Sequence, residues 1–361
     1  MKKIGLFVIL VLWLVLCVTA WARPSDEISE SERRKLQQFP AVSVKELLSG
    51  DWMEDFESYT LDQFPLRDAF RRVKALTHYN LLGQKDNNGI YIADGYAAKL
   101  EYPLNEKSLN NALEKFQKIY DKYLKGSKVI FSVVPDKGYF LAEANGYPAM
   151  DYEALMDTMA AGMPWAEFVD ISGELTLESY YKTDTHWRQE KLLGVAQKLC
   201  EALESDVFEQ GELVREALKR PFYGVYYGQA ALPMDAEQMY VMRHEILENC
   251  TVYNHENGKT TGIYDWAKLE SQDLYDVFLS GAAALLTIEN PVGNPEKELI
   301  IFRDSYGSSL IPLLLKDYAK VTVIDTRYVT PDLLSRLVDF YGQDVLMLYS
   351  TLLLNNSFSL K

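Results

Sequence analysis

Apolar and polar positions divide the chain into stretches of different rhythm. Ile4 to Ala20 form an unbroken apolar run behind Lys2 and Lys3 and end in Ala20-Trp21-Ala22. That is the small-x-small pattern that precedes a signal peptidase cut. Left uncleaved, residues 1–22 make a signal anchor, because the run nearly spans a bilayer if its flanking lysines snorkel. Both readings place the body of the protein outside the cytoplasm. From Arg23 the composition turns charged, with Ser25-Asp26-Glu27 and Glu32-Arg33-Arg34, which predicts a polar tether over 23–43 with little fixed structure. Helical spacing takes over from Val44 to Leu82, through Leu47, Leu48, Phe56, Tyr59 and Phe64, then Phe70, Val73, Leu76 and Tyr79.

Beyond this N-terminal helical subregion, helices alternate with short runs rich in β-branched residues, the pattern of a parallel sheet covered on both faces. Strands are predicted at 129–134, 167–171, 299–302, 321–324 and 345–349, and helices near 106–124, 151–161, 187–203, 308–317 and 331–341. In the third of these helices Leu192, Ala196, Leu199 and Leu203 make one face, widened by Leu193 and Cys200, and that stripe reads as core. The expectation is a three-layer α/β/α domain over 44–361. Residues 206–298 break the alternation with aromatic, turn-rich sequence, including an Asn257-Gly258 hairpin signal, and predict an insertion that roofs one end of the sheet.

With 361 residues, 48% of them hydrophobic, the chain can bury a full core. Its net charge of −15 becomes −17 once the first 22 residues, which carry only Lys2 and Lys3, are set aside. Nucleic acid is a poor partner for such a chain, and so is a polyanionic glycan; a neutral or locally cationic one fits better. Bulky Leu16 before Cys17 argues against lipoprotein processing. Cys200 and Cys250 could form a disulfide in an exported protein, but Cys200 on an apolar helix face reads as a buried thiol. The four histidines show no metal-ligand spacing, and no metal or organic cofactor is expected.

Candidate chemistry lies in two segments. Tyr181-Lys182-Thr183-Asp184-Thr185-His186-Trp187 sets a carboxylate and an imidazole two residues apart. Leu299-Ile300-Ile301-Phe302-Arg303-Asp304-Ser305-Tyr306-Gly307 runs an apolar strand into a serine on a turn. A serine hydroxyl needs a base within reach, and the base needs a partner to fix its tautomer; Ser305, His186 and Asp184 supply one of each. Each motif alone has a plain structural reading, since Asp184, Thr185 or Asp304 could simply cap a helix. Both, however, fall at the carboxyl ends of predicted strands or in adjacent loops, where open α/β sheets place their sites. A helix starting after Ser305 would turn the Ser305 and Tyr306 N–H groups, with Gly281, toward an oxyanion. Trp187 is expected to wall the site, and Asp304 to contact the substrate. Lys137, after a predicted strand end, reads either as a contact for an anionic sugar or, more plainly, as a solvated loop lysine. Arg303 is expected to face a carboxylate, and Tyr223, Tyr226 and Tyr227 either to stack on sugar rings or to pack the insertion.

The Tyr180–Trp187 run and the Asp304-Ser305-Tyr306-Gly307 segment resemble the signature and nucleophile motifs of the DHHW family. That family is similar to the SGNH-like alginate O-acetylation proteins, whose Asp-x-His pair precedes the serine in the chain. The resemblance covers most of residues 28–355. It takes in Val133-Val134-Pro135-Asp136-Lys137, the Phe222-x-Gly224 block and Asp273-Leu274-Tyr275-Asp276-Val277-Phe278-Leu279. It implies an SGNH hydrolase-like fold and serine-dependent acyl transfer, most simply of acetyl, or ester hydrolysis on a cell-surface or exported polysaccharide. A membrane-bound acyltransferase is the partner it implies. Two positions depart from the family pattern. Thr185 stands where the family name has its first His, as in the acetylation proteins, and Ser280-Gly281-Ala282 stands where Gly-Gly-Asn is typical, so one oxyanion-hole amide is missing. The competing expectations are a glycan-binding protein that keeps the fold without turnover and an envelope or spore-associated scaffold.

Overall fold

The computed structural model describes residues 2–29 and 31–361. Two compact units divide the chain: residues 1–88 with 227–234, and residues 89–226 with 235–361.

The larger unit is built on an eight-stranded sheet. In chain order its strands are β1 (Val129–Val134), β2 (Glu167–Phe168), β3 (Thr251–Asn254), β4 (Lys259–Thr261), β5 (Leu285–Glu289), β6 (Asn294–Arg303), β7 (Tyr318–Ile324) and β8 (Asp344–Ser350). They lie side by side in the order β4-β3-β5-β7-β6-β8-β1-β2. The five strands from β7 to β2 pair in parallel, and β5, β3 and β4 pair antiparallel. The parallel strands carry apolar residues at nearly every position because both faces are covered. Ile130, Val134, Ile301, Leu346 and Leu348 enter one core, where the helix Leu193–Leu203 packs through Val195, Ala196, Leu199, Cys200 and Leu203. Phe131, Val133, Ile300, Phe302, Val345 and Met347 enter the other, against Leu109, Ala112, Phe116 and Ile119 of the helix Glu106–Ile119. The period of two along each strand and the stripe along each helix together make the three layers.

The segment expected to be a roofing insertion enters the sheet instead. Its β3, β4 and β5 extend one edge, with Asn257-Gly258 in the turn between β3 and β4, where the Gly258 N–H donates to the Asn254 carbonyl at 2.9 Å. The helix expected from Trp187 starts only at Leu193, because Trp187 forms an antiparallel bridge with Tyr180. Cys200 and Cys250 are free and buried, and burial pushes their thiols up to about 11 and about 12.

The smaller unit holds the helices Lys2–Ala22, Val44–Ser49, Asp51–Asp62 and Arg67–Leu76. Residues 3–22 are long and apolar enough to cross a membrane, with a mean hydropathy of 2.7. The expected tether is not structureless. Ile28–Ser29 pairs with Arg34–Lys35, and the Arg34 guanidinium grips Asp62 through Nη1···Oδ2 at 2.8 Å and Nη2···Oδ1 at 2.5 Å. This pairing holds the Asp62 carboxyl below its usual range. The division between compact units therefore falls after residue 88 and not near 44. Residues 227–234, expected in the insertion, join the smaller unit, where Asn87 Nδ2 donates to the Ala230 carbonyl and Arg71 Nη2 to that of Gly228, each at 2.8 Å.

Candidate active site

Ser305 lies two residues past the end of β6, on the turn into the short helix Gly307–Leu310. The Asp304 carboxylate fixes this turn. Oδ1 accepts the Tyr306 N–H at 3.0 Å, and Oδ2 accepts the Ser350 N–H at 2.8 Å and the Ser350 hydroxyl at 2.6 Å, which ties the turn to the end of β8. Gly307 is required here, since a Cβ would stand 2.9 Å from the Cβ of Arg303.

Asp184 and His186 lie in the loop closed by the Tyr180–Trp187 bridge. The Tyr181 N–H donates to the His186 carbonyl at 3.1 Å and the Arg188 N–H to that of Ser179 at 2.7 Å. Within the loop, Asp184 Oδ1 lies 2.6 Å from His186 Nδ1 and also accepts the His186 N–H at 3.0 Å. On the far side of the ring, Nε2 lies 2.8 Å from Ser305 Oγ. Asp184 is fully buried and His186 keeps 8% of its surface. Two residues 119 positions apart thus complete a line of carboxylate, imidazole and hydroxyl at the carboxyl end of a parallel strand. Trp187 braces it, with its indole N–H donating to the Tyr306 carbonyl at 2.8 Å, while the Tyr306 hydroxyl donates to the Thr185 carbonyl at 2.7 Å.

Several residues that hold this line carry no catalytic signature in sequence. The Tyr275 ring stacks on the imidazole, and its hydroxyl bonds Ser309 Oγ at 2.8 Å. Asp273, at the head of the same block, caps the turn by accepting the Tyr275 N–H at 2.9 Å. Glu237 takes the N–H groups of Lys182 and Thr183 and the Thr183 hydroxyl, each at 2.7 Å. Val225 donates its N–H to Asp184 Oδ2 at 2.8 Å. The Phe222-x-Gly224 block now has a physical reason: a Cβ on Gly224 would lie 2.3 Å from the Asp184 Cα.

Three expected roles change. The Tyr306 N–H is spent on Asp304 and the Gly281 N–H on the Phe278 carbonyl, at 3.1 Å, so neither is open to an oxyanion. Gly281 answers to backbone geometry, with a φ of +86° and Asp276 Oδ1 2.3 Å from where a Cβ would stand. Asp304 faces its own turn, which excludes it as a substrate contact. Among the described residues the Ser305 N–H makes no hydrogen bond.

Lys137 is neither solvated nor placed on a surface for a sugar. It is 2% exposed, and its ammonium donates to the carbonyls of Tyr181 at 2.8 Å and Lys182 at 3.3 Å, over the ring of Tyr226. Burial pushes it down to about 7, against the pull of Asp184, Glu237 and Asp136. The neighbouring Asp136 carboxyl is raised by burial to about 6, with the Tyr152 hydroxyl bonded to it at 2.6 Å. Arg303 faces Asp325, with Nη1 3.7 Å from Oδ2. The tyrosines do not form one stacking surface: Tyr226 is buried with its hydroxyl on Thr185, Tyr223 is exposed, and Tyr227 belongs to the smaller unit. Among the described residues no three His, Cys, Asp or Glu side chains gather as a metal site would require.

The sheet and the helices on its two faces make a three-layer α/β/α domain with this line at the carboxyl end of the parallel strands. A DHHW family protein from Eubacterium siraeum has the same fold, with a TM-score of 0.61 at 22% identity, over 76% of this chain and 95% of that one. Bacillus cereus PatB1, in a structure with a sulfonyl adduct, matches with a TM-score of 0.56 at 13% identity, over 73% and 95%. The O-acetyltransferase domain of Pseudomonas putida AlgJ aligns at 0.44 and 16% identity, over 74% and 92%. No protein-family model and no curated protein matches the chain. The fold that the motif resemblance implied is the fold observed.

Proposed function

We propose that the protein is an extracytoplasmic, serine-dependent acyl-transfer enzyme or esterase that acts on a polysaccharide, with acetyl as the acyl group. The observation that carries this reading is the hydrogen-bonded line Asp184–His186–Ser305. His186 Nε2 takes the Ser305 proton as Oγ attacks the acyl carbonyl. Asp184 keeps the Nδ1–H tautomer and stabilises the imidazolium, and the Ser305 N–H faces the oxyanion. Collapse of the tetrahedral species expels the donor's alkoxide or thiolate with the proton from His186 and leaves an acyl-serine. His186 then deprotonates a sugar hydroxyl or water, which takes the acyl group and restores Ser305. Residues 2–22 would export the domain or anchor it, beside a membrane-bound acyltransferase as acyl donor.

A chromogenic acetyl ester tests the chemistry. Wild type turns it over, Ser305→Ala lowers the rate by at least about a thousandfold, and a sulfonyl fluoride leaves its adduct on Ser305. PatB1, of similar fold, is described with a sulfonyl adduct. The engagement of the Tyr306 and Gly281 amides favours a second reading, a glycan-binding protein without turnover, which predicts saturable glycan binding and no ester hydrolysis.

A further inference from the structure

We infer that the helical segment 39–61 carries a second membrane contact, a surface that lies in the interfacial zone of the bilayer beside the N-terminal helix. The inference rests on the anchor reading of residues 2–22.

The helix Val44–Ser49 buries none of its residues. Val44, Leu47 and Leu48, one face by spacing, are 74%, 46% and 85% exposed. Such a stripe is the pattern of a core-facing helix, yet none of it is buried among the described residues. Next along the chain, Trp52, Phe56 and Tyr59 recur at helical spacing, Trp52 stacked on Phe56 with centroids 5.1 Å apart. The half-exposed Phe39 packs edge-on against all three. Trp and Tyr concentrate at the membrane–water boundary because one end of the side chain is apolar and the other polar.

The occupant follows from where this surface is held. The Asp26 N–H donates to Gln63 Oε1 at 2.9 Å, and Gln63 Nε2 donates back to the Asp26 carbonyl at 2.8 Å. Asp26 lies four residues beyond the end of the apolar helix at Ala22, so the far end of the helix Asp51–Asp62 is clamped within about 14 Å of chain from the membrane exit. A segment held there meets lipid before any soluble partner. Its charge also selects the kind of contact. Against Lys45 stand Glu46, Asp51, Glu54, Asp55 and Glu57, which anionic headgroups would repel. The contact is therefore apolar and aromatic, made to zwitterionic lipid.

The full chain, reconstituted in phosphatidylethanolamine/phosphatidylcholine vesicles with a lipid bearing a photoactivatable group high on its acyl chain, tests this by peptide mapping of the adducts. Adducts are expected on 2–22 and also on 39–61, unchanged by salt. The double variant Leu47→Glu/Leu48→Glu, on exposed positions that leave folding intact, should lower those on 39–61 at least about tenfold and leave those on 2–22. Adducts on 2–22 alone overturn the inference and leave the anchor standing. Adducts on neither overturn both. Loss of the 39–61 adducts, but not those on 2–22, as the protein-to-lipid ratio is raised would identify a second copy as the occupant and overturn it as well.

Discussion

The Tyr275 ring lies flat on the imidazole of His186, with centroids 3.9 Å apart and planes within 7°. Asp184 Oδ1 lies 2.6 Å from Nδ1 of that imidazole, but a hydrogen bond at this one atom leaves the ring free to rock about the bond. The tyrosine face removes that freedom and keeps Nε2 on Ser305 Oγ. Stacking should thus matter more than the phenol hydroxyl. Tyr275→Phe is expected to keep ester hydrolysis within about threefold, since the lost bond to Ser309 is worth about 1 kcal/mol. Tyr275→Leu is expected to lose about ten- to a hundredfold in kcat by misplacing the base. Equal rates for the two variants would remove the ring from the mechanism.

Gly224 supplies a steric test of the same loop. Alanine there puts a Cβ 2.3 Å from the Asp184 backbone, so either the Asp184 loop or the segment that gives it the Val225 N–H must move. Overpacking of this kind costs about 1–3 kcal/mol and should weaken the Asp184–His186 pairing. Gly173→Ala, where nothing lies within 4 Å, is the control. Denaturation midpoints and ester hydrolysis should fall together in the first variant and stay unchanged in the second.

Lys137 should give the fold a pH dependence of definite sign. Burial lowers its ammonium from 10.5 to about 7, so below pH 7 both folded and unfolded chains hold the proton and the burial penalty is felt in full. Between about 7 and 10.5 only the unfolded chain holds it, and stability rises with pH toward a slope of about 1.4 kcal/mol per unit. Asp136 acts elsewhere: raised from 3.8 to about 6, it binds its extra proton in the folded state and makes stability fall as pH rises through that lower window. Urea midpoints at pH 7, 8.5 and 10 should rise relative to those of Lys137→Met. Parallel curves for the two proteins would show that Lys137 is not the titrating group.

How far the sequence could be read depends on the range of the interactions involved. The parallel strands and the helix Leu193–Leu203 were legible because their apolar periods, two and about 3.6, are local, and both are buried as that pattern requires. Ser305, His186 and Asp184 were legible as candidates because their residue types carry chemistry and Ser305 follows the end of an apolar strand. Tyr275 and Glu237 were not, since they reach the site from 89 positions beyond His186 and 54 beyond Thr183, and a tyrosine among 24 gives no local signal. The helix start was misplaced because the Tyr180–Trp187 bridge competes with helix there. The tether looked structureless because its charges are matched by Asp62 and Gln63, a helix away. Lys137 looked solvated for a related reason: its partners are backbone carbonyls, which a sequence does not display.

The last prediction concerns the oxyanion. With the Tyr306 N–H committed to Asp304 and the Gly281 N–H to Phe278, the proposed mechanism leaves the Ser305 N–H to face the developing oxyanion with little support. One donor in such a site is worth about 3 kcal/mol, roughly a hundredfold in rate. The resemblance to the DHHW family puts an Asn amide where this chain has Ala282, and Ala282 is exposed, so a longer polar side chain meets no packing obstacle. Ala282→Asn is therefore expected to raise kcat for an activated acetyl ester by about tenfold or more, with little change in KM, because an oxyanion donor acts on the transition state and not on the bound ester. The gain must vanish in the Ser305→Ala background. A gain that survives there would assign the hydrolysis to another nucleophile, and no gain at all would mean that residue 282 does not face the reacting carbonyl.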